Sequence, residues 1–188
     1  MARSPLIGNS GHWGEPWTPL GDTLIEGGYF ESVIFVPTAI GGSSIARWSA
    51  GGDLNLMLQR VLFDVVPRLT ITHVLWQQGE TDFQLGTTAQ AWQNGFADLV
   101  ATLRHAQVNA PIFVAIASRC EKTGINWKPS NPITSAQRAV VDEARGIRTG
   151  VDADTLLVNE DRYDDCHLSA SGIEKLVQGW ANAITRAR

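Results

Sequence analysis

The sequence predicts an α/β domain of three layers, α/β/α, around a mostly parallel central sheet. Three observations carry that expectation. Short apolar runs rich in β-branched and aromatic residues alternate with longer stretches of helical spacing, as in strand–helix–strand units. The runs are continuous rather than alternating, which suits strands covered on both faces. Three of them lead into unusual polar or glycine-rich segments, at the strand ends where an open parallel sheet gathers its ligands.

In chain order, Trp17 to Glu26, closed by Gly27-Gly28, reads as a short helix. Val33-Ile34-Phe35-Val36 is too short for a helix and reads as a strand leading to Gly41-Gly42. Leu54, Met57, Leu58, Val61, Leu62 and Val65 form one helical face before Pro67. Ile71 to Trp76 is a second strand, ending at Gly79. Trp92, Phe96, Leu99, Val100 and Leu103 mark a further helix, and Pro111 to Ala117 a third strand. The polar segment 121–132 reads as a surface loop, Thr134 to Ile147 as a helix and Thr155 to Val158 as a fourth strand. Ser171 to Ala187 closes the chain with a helix whose stripe is Ile173, Leu176, Val177, Trp180 and Ile184.

The 188 residues read as a single domain, 1–188, with no repeat or long linker. A chain of this length buries roughly 70% of its unfolded surface and needs no metal or disulfide to hold a core. With 15 basic and 19 acidic side chains, the balance of −4 excludes a nucleic-acid binder that relies on bulk positive charge. Cys120 and Cys166 are far apart and belong to no CxxC, so they read as small buried thiols, which leaves the redox compartment open. No apolar run reaches the roughly 20 residues of a membrane span. Met1 to Pro5 lacks the apolar centre of a secretory signal, so the chain as given reads as soluble with no visible address. His12, His73, His105 and His167 show no ligand spacing, so no metal or cofactor is expected. Oligomeric state is not legible.

Three segments can carry chemistry. Ala39 to Trp48 contains Gly41-Gly42, where backbone N–H groups can approach a ligand closely. Gln77-Gln78-Gly79-Glu80-Thr81-Asp82 offers a side-chain amide able to donate to a developing oxyanion. Tyr163-Asp164-Asp165-Cys166-His167-Leu168-Ser169 sets an aspartate three residues before a histidine, so the carboxylate can hold the ring while its other nitrogen faces a nucleophile.

Taken in this order, Ile40-Gly41-Gly42-Ser43-Ser44-Ile45 with Trp48, Leu75-Trp76-Gln77-Gln78-Gly79-Glu80-Thr81-Asp82, and Tyr163 to Ser169 with Gly172 resemble the SGNH hydrolases. The likeness is to the sialate O-acetylesterase-like and acetylxylan-esterase branch, from about residue 5 onward. Gln77 stands where that branch often has histidine or tyrosine. The resemblance implies a flavodoxin-like fold and a serine esterase acting on short-chain esters, such as O-acetyl groups on carbohydrates, without cofactor or metal. It implies His167 as general base oriented by Asp164, and an oxyanion hole of Gly41, Gly42 and the Gln78 amide. Glu80, Arg47 and Trp48 are then expected to contact substrate, Glu80 also holding its loop with Asp82.

The family carries its serine in a Gly-x-Ser turn after the first strand, and two readings stay open. In one, Pro5-Leu6-Ile7 is a minimal strand and Ser10, in Gly8-Asn9-Ser10, is the nucleophile. In the other, the true strand and serine precede Met1, since Pro5 would remove a ladder hydrogen bond from a central strand. Ser43 and Ser44 are weaker candidates. Two further readings compete with the esterase: an esterase-like domain that binds carbohydrate without catalysis, and a thiol enzyme using Cys166 beside His167.

Overall fold

The computed structural model describes residues 15–120 and 126–186. Its elements begin with α1 (Trp17–Glu26), α2 (Ile45–Trp48) and α3 (Asp53–Val65). There follow β1 (Val74–Trp76), α4 (Glu80–Leu85), α5 (Ala89–His105), β2 (Ile112–Ile116) and α6 (Pro132–Ala139). The chain ends with β3 (Ile147–Asp152), α7 (Ala153–Leu156) and α8 (Ala170–Thr185). Two single 3-10 turns, Glu143–Arg145 and Asn159–Asp161, precede β3 and the final loop.

The three strands lie parallel in the order β1-β2-β3, with Val74 opposite Ile112 and Ile112 opposite Ile147. All five residues of β2 are buried because both its faces are covered. Ile112 and Val114 enter a core built by α2, α3, α5 and α6, while Phe113 and Ala115 enter a second core with α1, α7 and α8. Trp92 fills the first core and Trp180 the second, each fully buried. The ladder of β2 and β3 shifts register between Val114 and Ile116. Gly150 lies there because a Cβ on it would stand 2.9 Å from the Val114 carbonyl. Three α/β/α layers with a parallel sheet result, as the alternation of runs implies. No helix among the described residues is long and apolar enough to cross a membrane.

Four expectations change. Val33–Val36 is extended but joins no ladder among the described residues, and Ile34 and Val36 are exposed. It faces the outer edge of β1 across a cavity of about 1190 Å³, whose walls include Val33, Phe35, Ile71 and Leu75. The expected 134–147 helix stops at Ala139. Asp142 accepts from Ala144 and Arg145 N–H to form a 3-10 turn, and Gly146 at φ +70° releases the chain into β3. That strand buries only Ile147 and Val151, so it shows no continuous apolar run. Thr155 and Leu156 belong to α7, because Asp152 caps the helix through the Thr155 N–H at 3.1 Å.

The fourth change concerns the cysteines. Cys120 and Cys166 form a disulfide, their Cα atoms 4.1 Å apart, where the exit of β2 meets the loop before α8. Two residues separated by 46 positions are brought together by the sheet, which no local spacing announces. The bond also removes the free thiol that a Cys166 enzyme would need.

Candidate active site

The Gly41-Gly42 turn follows the extended segment 33–40. Gly42 has φ +67°, a conformation that favours glycine, and a Cβ there would meet nothing within 4 Å. Backbone conformation rather than crowding therefore asks for glycine. Both glycines are exposed, and among the described residues neither N–H donates to a protein acceptor. The turn is held from the next residue: Ser43 Oγ donates to Ile40 O at 2.8 Å and accepts from Trp48 Nε1 at 2.9 Å. That leaves Ser43 buried and engaged, unlike a nucleophile.

Gln78 braces the same turn from β1. Its Oε1 accepts from Trp92 Nε1 at 3.0 Å, and since an indole only donates, the orientation of the amide is set. The Nε2 group then donates to Ser43 O at 3.0 Å and to Asp82 Oδ2. Asp82, fully buried, also accepts from Ile45 N at 2.7 Å. Both amide protons are engaged, so in this arrangement Gln78 positions the glycine turn instead of donating into the cavity as expected.

Gln137 was not legible as a functional residue, yet it joins the ends of two strands. It is fully buried, donates to Gln78 O at 2.9 Å and Ala117 O at 2.8 Å, and accepts from Ala117 N at 3.1 Å. Gly79 permits this approach, because a Cβ would lie 2.1 Å from Ala117 O and 2.5 Å from Gln137 Nε2.

The loop Tyr163–Leu168 carries the Asp164–His167 pair. Asp164 Oδ1 accepts from Cys166 N at 3.0 Å and His167 N at 2.5 Å. Its Oδ2 lies 2.8 Å from His167 Nδ1; an ionised carboxylate only accepts, so Nδ1 carries the proton and Nε2 keeps its lone pair. The Tyr163 ring stacks on the imidazole at 5.7 Å. Burial works to raise the Asp164 pKa, but the bonds from the His167 N–H, its ring and the Cys166 N–H outweigh it and bring the carboxyl down to about 2. The carboxylate is thus charged wherever the histidine can act as a base.

Gly41, Gly42, Gln78, Glu80, Asp164 and His167 all line the one cavity beside β1. Glu80 accepts from Gly79 N at 3.1 Å. Burial pushes its carboxyl above the usual value and the Asp154 charge adds to that, while local backbone bonds and Arg162 oppose it. Arg47 lies outside the cavity wall, held by Asp53 through two bonds of 3.0 and 2.6 Å at the surface. Trp48 is buried in the core, edge-on to Trp76 at 5.5 Å. Trp48 still lines the cavity from the core side, whereas Arg47 is engaged in a surface ion pair away from it. Ser10 lies outside the described residues.

Comparison with known proteins names the class that this arrangement defines. Residues 15–186 match the family described as carbohydrate esterase, sialic acid-specific acetylesterase, and the chain belongs to it. It is a carboxylic ester hydrolase by class. Ser10 precedes the matched region. The chain is similar in fold to a protein from Arabidopsis thaliana, with a TM-score of 0.71 at 22% identity over 96% of this chain and 72% of that one. It also resembles an acetyl esterase mutant crystallised with acetate ion, with a TM-score of 0.66 at 13% identity over 93% of this chain and 91% of the other. No curated protein sequence matches.

Proposed function

We propose that the protein hydrolyses short-chain esters, removing O-acetyl groups from carbohydrates through a serine nucleophile. One observation carries this reading: His167, held at Nδ1 by Asp164, lines the same cavity as Gly41 and Gly42, whose N–H groups are not engaged among the described residues. In the reaction, His167 Nε2 takes the proton of a serine hydroxyl as that oxygen attacks the acetyl carbonyl. The Gly41 and Gly42 N–H groups receive the negative oxygen of the tetrahedral intermediate, on a turn kept in place by Gln78. His167 then returns the proton to the departing sugar oxygen. Water, activated by the same nitrogen, frees acetate from the acyl-serine.

Glu80 in the cavity wall is the substrate-side polar group of this reading. Ser10 is its nucleophile candidate within the chain, and a serine ahead of it is the alternative. Hydrolysis of p-nitrophenyl acetate tests the mechanism. The His167→Ala variant is expected to lose about 10⁶-fold in kcat, in the manner of other serine–histidine enzymes. Activity surviving that change overturns the proposal. A fluorophosphonate probe with peptide mapping identifies the serine: loss of labelling in Ser10→Ala assigns it, whereas unchanged labelling elsewhere moves the role. Saccharide binding by a protein that no probe labels would favour the non-catalytic reading.

A further inference from the structure

We infer that the Cys120–Cys166 disulfide is a positioning element for His167, and that its reduction lowers turnover without unfolding the domain. The inference rests on the esterase reading for its catalytic consequence, though not for its structural one.

The hydrogen bonds that shape the histidine loop run largely within it. Tyr163 N donates to His167 O at 3.1 Å, Ser169 N to Asp161 O at 2.8 Å, and Arg162 Nη1 to Cys166 O. Asp164 binds the N–H groups of Cys166 and His167 and the ring itself. These bonds fix the imidazole relative to its own loop. None of these bonds reaches the glycine turn on the other side of the cavity, toward which the charge of Arg162 facing Glu80 is a non-covalent contact.

The covalent link supplies that second constraint. Cys166 immediately precedes His167, and its sulfur is joined to Cys120 at the exit of β2. The Cys120 carbonyl accepts from Gln84 Nε2 at 3.0 Å, and Gln84 lies on α4, which begins two residues after Gln78. Gln78 in turn holds Ser43 O beside Gly42. A continuous path of bonds thus runs from the histidine loop through the disulfide and α4 to the oxyanion turn. The loop is exposed at Tyr163, Asp164, Asp165 and His167, and its apolar anchor is Leu168, which packs against the second core after the histidine, so the disulfide is what ties the stretch before it.

Reduction by a dithiol is balanced. One reagent thiolate attacks a cysteine sulfur, the second displaces the mixed disulfide, and the reagent leaves as a cyclic disulfide. Two electrons and two protons pass to Cys120 and Cys166, which become thiols. Cys166 is half-buried, within reach of such a reagent.

The test compares the full chain, oxidised and reduced with dithiothreitol, by hydrogen exchange and by p-nitrophenyl acetate kinetics. Amides of residues 162–169 are expected to exchange at least about tenfold faster on reduction, with β2 and α5 still protected. The kcat is expected to fall about 10²-fold, the loss that a displacement of an ångström causes, with KM unchanged and full recovery on reoxidation. The Cys120→Ser, Cys166→Ser double variant should behave as the reduced form and ignore dithiothreitol. Unchanged loop exchange, a loosened loop with unchanged kcat, or loss of protection throughout α5 and β2 would each overturn the inference. Absence of esterase activity in the oxidised protein would instead fail the esterase reading, and loop exchange alone would then decide the tether.

Discussion

A single carboxylate does two jobs at the heart of the candidate site. Asp164 closes the turn that carries His167 and also selects the ring nitrogen left free. Because both partners lie within three positions, this pair was legible in the sequence, as was Gly42, whose positive φ is a local property. Gln137 was not, because its meaning comes from strand ends distant in the chain, while Asp82 was expected to hold its loop but not to take both the Gln78 amide and the Ile45 N–H. The depressed Asp164 pKa sets a direction for acid stability. Its charged form is favoured by folding, so its contribution is complete above the ordinary carboxylate value of about 3.9 and is lost as pH falls toward 2. The stability difference between wild type and Asp164→Asn, measured by urea denaturation, should be flat above about pH 4 and shrink below it. The same variant should lower kcat by about 10³–10⁴-fold at neutral pH, since an amide does not hold the ring with Nε2 unprotonated.

Elements were legible in proportion to how evenly they are covered. β2 was clear because it is buried on both faces, and α5 and α8 because their stripes repeat at helical spacing. β3, covered on one side and interrupted by Arg148 and Gly150, resembles a turn more than a strand. Val33–Val36 has strand composition but joins no ladder among the described residues, and composition proposes a strand where pairing makes one. The joint between β1, β2 and α6 rests on Gln137. Gln137→Met keeps the volume but leaves Gln78 O and the Ala117 N–H and carbonyl without that partner in a dry site. A loss of about 3 kcal/mol or more is expected in the denaturation free energy, at about 1–3 kcal/mol for each of the three buried groups left unsatisfied.

At the scale of the molecule, the layer order followed from the alternation of runs, while the covalent closure did not. The disulfide spans 46 positions, which in the chain-entropy model restricts the unfolded chain by about 4 kcal/mol. The denaturation midpoint of the reduced protein should therefore fall, with the oxidised curve regained after reoxidation. An unchanged midpoint would show that the unfolded chain is already constrained in that region. Disulfides persist in oxidising surroundings, so the bond bears on the environment in which the folded form is retained.

The outer edge of β1 has a further consequence, for handling in solution. Backbone groups of Leu75 that face the cavity meet no ladder partner among the described residues, and the segment opposite is equally unmatched. Ile34, 69% exposed on that segment, presents a large apolar side chain to solvent, so a charged side chain in its place is expected to lower the light scattering of concentrated protein.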